Sequence, residues 1–122
     1  MQYRSTRGES PAVSFSEALL AGLAPDGGLY VPTEWPQFAP GDFTAGASLA
    51  AAARTLIAPF TAGDMLAAAL DEITAEAFNF PAPLVPVGQA DYSVLELFHG
   101  PTAAFKDFGA RFDDEAKARL AG

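Results

Sequence analysis

The sequence predicts a mixed α and β fold, with short strands set among several α-helices. Three observations carry that expectation. Apolar residues recur at helical spacing in three blocks, near 14–23, 48–60 and 64–77. Residues 92–98 alternate and are rich in β-formers. Proline and glycine cluster at 24–28, 32–46 and 80–88, dividing the chain into short pieces rather than into two long domains. The 122 residues bound one modest core.

Each element follows from local rules. Residues 1–7 read as a short extended segment ending at Gly8. Ser14 opens a helix, with Glu17 three residues later as its capping-box partner. Phe15, Leu19, Leu20 and Leu23 then share one face, and Gly22 and Pro25 stop it. Pro25-Asp26-Gly27-Gly28 is a turn, because proline presets φ and glycine supplies a positive φ. Leu29-Tyr30-Val31 is a strand ended by Pro32. Residues 35–43 are irregular. Ser48 to Phe60 is helical, with Leu49, Ala53, Leu56, Ile57 and Phe60 in one stripe. Asp64 lies in the first turn of a further helix that carries Leu66, Leu70, Ile73 and Ala77 inward, and the two pair as an αα-hairpin.

The prolines in 80–87 forbid helix there, so that stretch is extended. Tyr92 to Phe98 is a strand. After His99-Gly100-Pro101, Thr102 caps a helix that carries Phe105, Phe108 and Phe112 on one face. Asp107 and Arg111 are spaced for an ion pair within it. Residues 113–122 read as a polar, solvated tail.

The formal charge is −8. It is concentrated in residues 8–98, where eleven acids face Arg54 alone, while residues 99–122 carry four acids and four bases. Such a surface repels a phosphate backbone, which disfavours nucleic acid. With no cysteine and one histidine, disulfides, thiolate nucleophiles and Cys- or His-based metal sites are excluded, so no metal is expected. No apolar run is long enough to cross a membrane, and Glu9, Pro11 and Glu17 interrupt any signal-like segment. The expectation is a cytoplasmic protein.

One segment stands apart. Between Leu95 and Phe112 a strand leads through Gly-Pro into a helix start, where free N–H groups and the helix dipole favour an anion. Lys106 sits in that first turn, flanked by Phe105 and Phe108. The dipole and the apolar neighbours both disfavour its ammonium form, as Schiff-base chemistry requires. A solvated lysine paired with Asp107 fits the same pattern. His99 is equally a structural strand-end residue, and Thr102 equally a plain cap. Arg4 and Arg7 point to opposite faces of a strand, which argues against a single two-pronged anion clamp.

Two stretches resemble the threonine synthase family of fold-type II pyridoxal-phosphate enzymes. Tyr3-Arg-Ser-Thr-Arg-Gly8, followed by Ser14 to Pro32, resembles the opening of that family's N-terminal domain. The His-Gly-Pro-Thr-x-Ala-Phe-Lys-Asp run from His99 to Asp107 resembles its lysine-bearing motif. The resemblance spans roughly residues 1–112. It implies an α/β enzyme: an α+β N-terminal domain at 1–90, then at 91–122 the first strand and lysine-bearing helix of an incomplete cofactor domain.

The activity it implies converts O-phospho-L-homoserine and water to L-threonine and phosphate, with pyridoxal phosphate as cofactor. By resemblance Lys106 is the catalytic lysine that carries the cofactor. Phe105 and Thr102 adjoin the cofactor, and His99 and Asp107 are active-site neighbours. The family's phosphate-gripping loop lies well downstream of the lysine, so these 122 residues alone are expected to be inactive. Two alternatives stand beside this reading. One is a non-catalytic module docking with a partner chain, or self-associating through the Phe105, Phe108 and Phe112 stripe. The other is a related phospholyase of different substrate.

Overall fold

The computed structural model describes residues 1–88 and 91–122. Strand β1 (Tyr3–Ser5) pairs antiparallel with β2 (Tyr30–Pro32), Arg4 standing opposite Val31. The Pro25–Gly28 turn forms as expected, with Gly27 at φ 77°. Its organiser is the Asp26 carboxylate. That group accepts from the Ser5 hydroxyl at 2.6 Å, the Gly28 amide at 2.9 Å and the Glu9 amide at 3.0 Å. These bonds tie the turn to the segment after β1 and hold the Asp26 carboxyl at about 2, the Ser5 hydroxyl being the largest cause.

Helix α1 (Phe15–Ala21) has the expected capping box between Ser14 and Glu17. Its buried face is narrower than the spacing suggested. Ser16 and Ala18 are buried, and Phe15 and Leu19 pack on the core. Leu20 and Leu23 stay exposed, at 61% and 58%. The helix ends at Ala21, and Gly22 at φ 69° turns the chain away, so Leu23 leaves the helical register.

Helix α2 (Leu49–Thr61) starts at Ser48, whose hydroxyl accepts from the Ala51 amide. Asp64 caps the 3-10 turn Met65–Ala69, which leads into α3 (Leu70–Ala77). The Asp64 carboxylate also accepts from the Ser16 amide and hydroxyl, pinning the start of α1 to that turn. The stripe of Leu66, Leu70, Ile73 and Ala77 is buried as the spacing predicts, each at 3% exposure or less.

Strands β3 (Leu84–Pro86) and β4 (Ser93–Leu95) form an antiparallel hairpin with Val85 opposite Val94. Every residue of both strands is exposed. Helix α4 (Lys106–Ala121) then lies against α3, with further contacts to α1.

Two expectations for α4 are overturned. Residues 113–122 are not a solvated tail. Ala116 is fully buried with Leu66 and Ile73, and Leu120 packs beside it. Arg119 bridges to Glu76 at 2.8 Å and to Glu72 at 3.7 Å on α3. The Phe105, Phe108 and Phe112 stripe is not an exposed apolar helix either. Phe112 stacks on Phe78 and meets Phe15 edge-on, and Phe108 meets Phe80 edge-on. Only Phe105 is exposed, at 73%. Covering those two rings takes the aromatic face of α3's end, which no spacing within α4 could show.

No described helix is long and apolar enough to cross a membrane.

Candidate functional site

The segment that sequence reasoning singled out folds into a tight loop feeding α4. Gly100 opens it, and the Ala103 amide donates to the Gly100 carbonyl at 3.0 Å. Ala103 takes φ 55°, the one non-glycine among the described residues in the left-handed region. Such a residue stays there only where its surroundings hold it.

The holding group is Asp107. Its side chain accepts from the Thr102 amide at 2.9 Å and from the Thr102 hydroxyl at 2.6 Å. Asp107 is only 2% exposed. The Thr102 hydroxyl, first, and the Thr102 and Ala104 amides keep its carboxyl below the usual carboxylate range. Thr102 is therefore not the helix cap: α4 begins at Lys106 behind Phe105, with no side-chain cap bond.

Nor does Asp107 pair with Arg111. The Arg111 guanidinium turns the other way, onto the end of α3. There it meets the carbonyls of Ala77 and Glu76 and the side chain of Asn79. The spacing rule for a helical pair is outcompeted because both residues have better partners outside the helix: two donors on Thr102 for the acid, and unsatisfied carbonyls for the base.

Lys106 is the first residue of α4 and is exposed. Among the described residues it has no ion-pair partner within 4.0 Å, while Lys117, the other lysine, is tied to Asp113 at 2.8 Å. The apolar shielding expected from its neighbours is thinner than the sequence suggested, since Phe105 points into solvent and Phe108 into the core.

His99 stands on the loop before Gly100, its ring 4.6 Å from that of Phe98 and its Nε2 2.6 Å from the Glu96 carboxylate. Glu96 was missed by the sequence reading. In a regular strand, residues three apart face opposite sides, but the chain leaves β4 at Leu95, so Glu96 and His99 swing together. The structure thus brings Thr102, Asp107 and the Lys106 backbone into one turn, with the Glu96–His99 pair on the strand side of Gly100.

At the other end of the chain, Arg7 is committed to the Asp26 carbonyl at 2.9 Å. Arg4 and Arg7 both line one shallow cleft, with Thr6 and Val31. A separate cleft of about 280 Å³, bounded by Tyr3, Phe15, Tyr30 and Lys117 among others, lies on the β1–α1 side and does not include Lys106.

The residues present fit pyridoxal phosphate in one respect. An exposed primary amine, without an ion-pair partner among the described residues, sits at a defined helix start beside polar loop groups. An amine of that kind is the donor that a carbonyl cofactor needs.

Comparison with known proteins bears on the same segment. The family model described as threonine synthase N terminus matches residues 2–78. The threonine synthase of Pseudomonas aeruginosa is 44% identical over 114 residues, covering 88% of this chain and 24% of that protein. That of Escherichia coli is 35% identical over 124 residues, covering all of this chain and 29% of that protein.

Among solved structures, a pyridoxal-phosphate-bound threonine synthase from Brucella melitensis superposes with TM-score 0.82 at 46% identity. The match covers 99% of this chain and 28% of that one. The Escherichia coli threonine synthase structure gives TM-score 0.88 at 34% identity, covering all of this chain and 29% of that one. The chain thus spans 24% to 29% of the length of these relatives, and the fold agrees over essentially all of it.

Proposed function

Because the chain belongs to the threonine synthase family, matched through that family's N-terminal domain, we propose that it supplies the N-terminal domain and the cofactor lysine of a threonine synthase. The reaction is the conversion of O-phospho-L-homoserine and water to L-threonine and phosphate. Residues 1–90 form the N-terminal domain, and residues 91–122 open the part that carries the cofactor. The protein works in the cytoplasm on a small-molecule substrate.

The observation that carries this reading is the exposed Lys106 at the start of α4, directly after the Gly100–Phe105 loop and without an ion-pair partner among the described residues. Pyridoxal phosphate, when bound, supplies an electron sink for carbon atoms of an amino-acid substrate. Lys106 would hold the cofactor through its amine and, with that amine free, would take and return protons at its Nζ. Phe105 shields one side of that amine when the site is covered. Thr102 and Asp107 fix the loop, and the Glu96–His99 pair sets the polar rim on the strand side. In the threonine synthase reading the phosphate-gripping groups belong to a part of the fold other than the Gly100–Phe105 loop and α4, and residues 1–122 tested alone are expected to turn over no substrate.

Two measurements test the reading. In the full-length protein, Lys106→Ala abolishes phosphate release from O-phospho-L-homoserine, whereas Lys117→Arg leaves it intact; activity retained by Lys106→Ala refutes the assignment. For residues 1–122 alone, phosphate release with added pyridoxal phosphate stays at the rate of free cofactor. Turnover above that background overturns the claim that they are inactive.

A further inference from the structure

We propose that Asp107 is the positioning residue for Lys106: its carboxylate, bonded twice to Thr102 and enclosed by Gly100, fixes the loop that aims the lysine amine. This rests on the reading of Lys106 as the cofactor lysine and adds to it the device that sets the geometry.

Three observations converge on Asp107. First, it is nearly buried at 2% exposure, although it stands next to an exposed lysine at the first turn of a helix. A carboxylate is rarely enclosed without specific donors. Here the two shortest bonds come from one residue, the Thr102 amide at 2.9 Å and hydroxyl at 2.6 Å, with the Ala104 amide beside them. Second, the backbone between them is strained: Ala103 holds φ 55° within the loop that the two bonds close. Third, Gly100 presses on the same side chain. A Cβ at that position would stand 2.5 Å from Asp107 Oδ2 and 2.7 Å from its Cβ. The loop therefore admits Asp107 in one place only, and Lys106, its immediate neighbour, inherits that placement.

The helix itself does not do this job. Phe105 gives α4 no side-chain cap, so the first turn would fray without the Asp107 link. Arg111 fixes the next turn to α3. Between them the two side chains leave the Lys106 backbone little freedom to rotate.

The test uses Lys117 as an internal control, since it lies on the same helix but away from the clamp. The full-length protein is mixed with limiting pyridoxal phosphate, reduced with borohydride, and the labelled lysine mapped by mass spectrometry. Amide exchange at Thr102 is followed without cofactor. The set is wild type, Asp107→Asn, Gly100→Ala and the double variant.

Asp107→Asn removes the charge and leaves one acceptor oxygen for the two Thr102 donors, and Gly100→Ala displaces the same group without altering it. Each single variant lowers the Lys106-to-Lys117 labelling ratio by about tenfold or more and speeds exchange at Thr102. The double variant goes no lower than the singles, because both act on one clamp. General destabilisation would lower the ratio as well, but it would speed amide exchange along the whole of α4 and lower the denaturant midpoint, whereas loss of the clamp speeds exchange at Thr102 with the midpoint kept.

The proposal is overturned if Asp107→Asn frees the Thr102 amide yet keeps the wild-type ratio, or if the two variants add. Should Asp107→Asn fail to fold, Gly100→Ala decides by the same ratio. A wild-type protein showing no preference for Lys106 refutes the lysine assignment itself, and the clamp's role falls with it.

Discussion

The Arg111 guanidinium donates to the Ala77 carbonyl at 2.8 Å and the Glu76 carbonyl at 2.6 Å, closing the end of α3 with a side chain from α4. Those carbonyls are the ones a helix leaves unsatisfied, and a cation is the favoured partner at that end. Arg111→Ala is expected to cost about 1–3 kcal/mol, the range for bonds to a charged group. Arg111→Lys recovers only part of it, since an ammonium cannot fork across two carbonyls. Denaturant midpoints check both, and an Arg111→Ala midpoint equal to wild type refutes the anchor.

Gly28 has no room for a side chain. A Cβ there would overlap the Ser5 hydroxyl and stand 3.0 Å from Asp26 Oδ1 and 3.1 Å from the Arg7 amide nitrogen. Gly28→Ala therefore breaks the link between the turn and β1, and lowers stability by about 1–3 kcal/mol, as overpacking does. Gly41→Ala, with open space around its Cβ, is the control and leaves the melting temperature unchanged.

Asp26 gives the protein an acid limb. Its folded-state carboxyl sits at about 2 against an ordinary 3.8. A lowered folded value stabilises the protein above the ordinary value, and that contribution is lost as pH falls from about 4 towards 2. Ser5→Ala removes the largest cause and so shrinks the loss. Asp26→Asn abolishes this group's share of it. Urea midpoints measured between pH 5 and pH 2 show whether the wild-type curve is steeper than that of Asp26→Asn; parallel curves contradict the prediction.

Ala103 tests backbone strain directly. At φ 55° a β-branched residue is far worse than alanine, and glycine is unstrained. Ala103→Val is expected to lie about 1–2 kcal/mol below Ala103→Gly in stability. Thermal melts of the two variants, compared with each other, read the difference; equal melts contradict the left-handed geometry.

The burial of Ala116 fixes the second half of α4. With no exposure and Leu66 and Ile73 against it, it cannot accept a larger side chain without displacing the helix. Ala116→Leu costs about 1–3 kcal/mol, whereas Ala118→Leu, on the exposed side, costs little. Equal effects at the two positions would mean that this half of the helix is solvated.

What the sequence made legible were features set by near neighbours. The Ser14–Glu17 capping box, the Pro25–Gly28 turn and the Leu66, Leu70, Ile73, Ala77 stripe each follow from residues within a few positions of one another. The docked end of α4 was hidden because its partners, Glu72 and Glu76, lie about forty residues earlier, and because Ala116 sits among charges that read as a wet surface. The site was half legible. The Lys106 motif was visible, but the Asp107–Thr102 bonds were not: a helical pair with Arg111 was the simpler local pattern, and only the fold shows that α3's open end claims the arginine.

The β3–β4 hairpin has a consequence for how copies of this chain can meet. The Glu96 amide donates to the Pro83 carbonyl and the Val87 amide to the Tyr92 carbonyl, so the odd-numbered positions face β4 and Leu84 and Pro86 turn their backbone outward. Pro86 has no N–H to offer on that outer side, which leaves Leu84 as the strand's single donor there. The exposed side chains can still be covered from above or below. Growth by adding strand upon strand, the route to cross-β fibrils, is blunted on the β3 side by that proline.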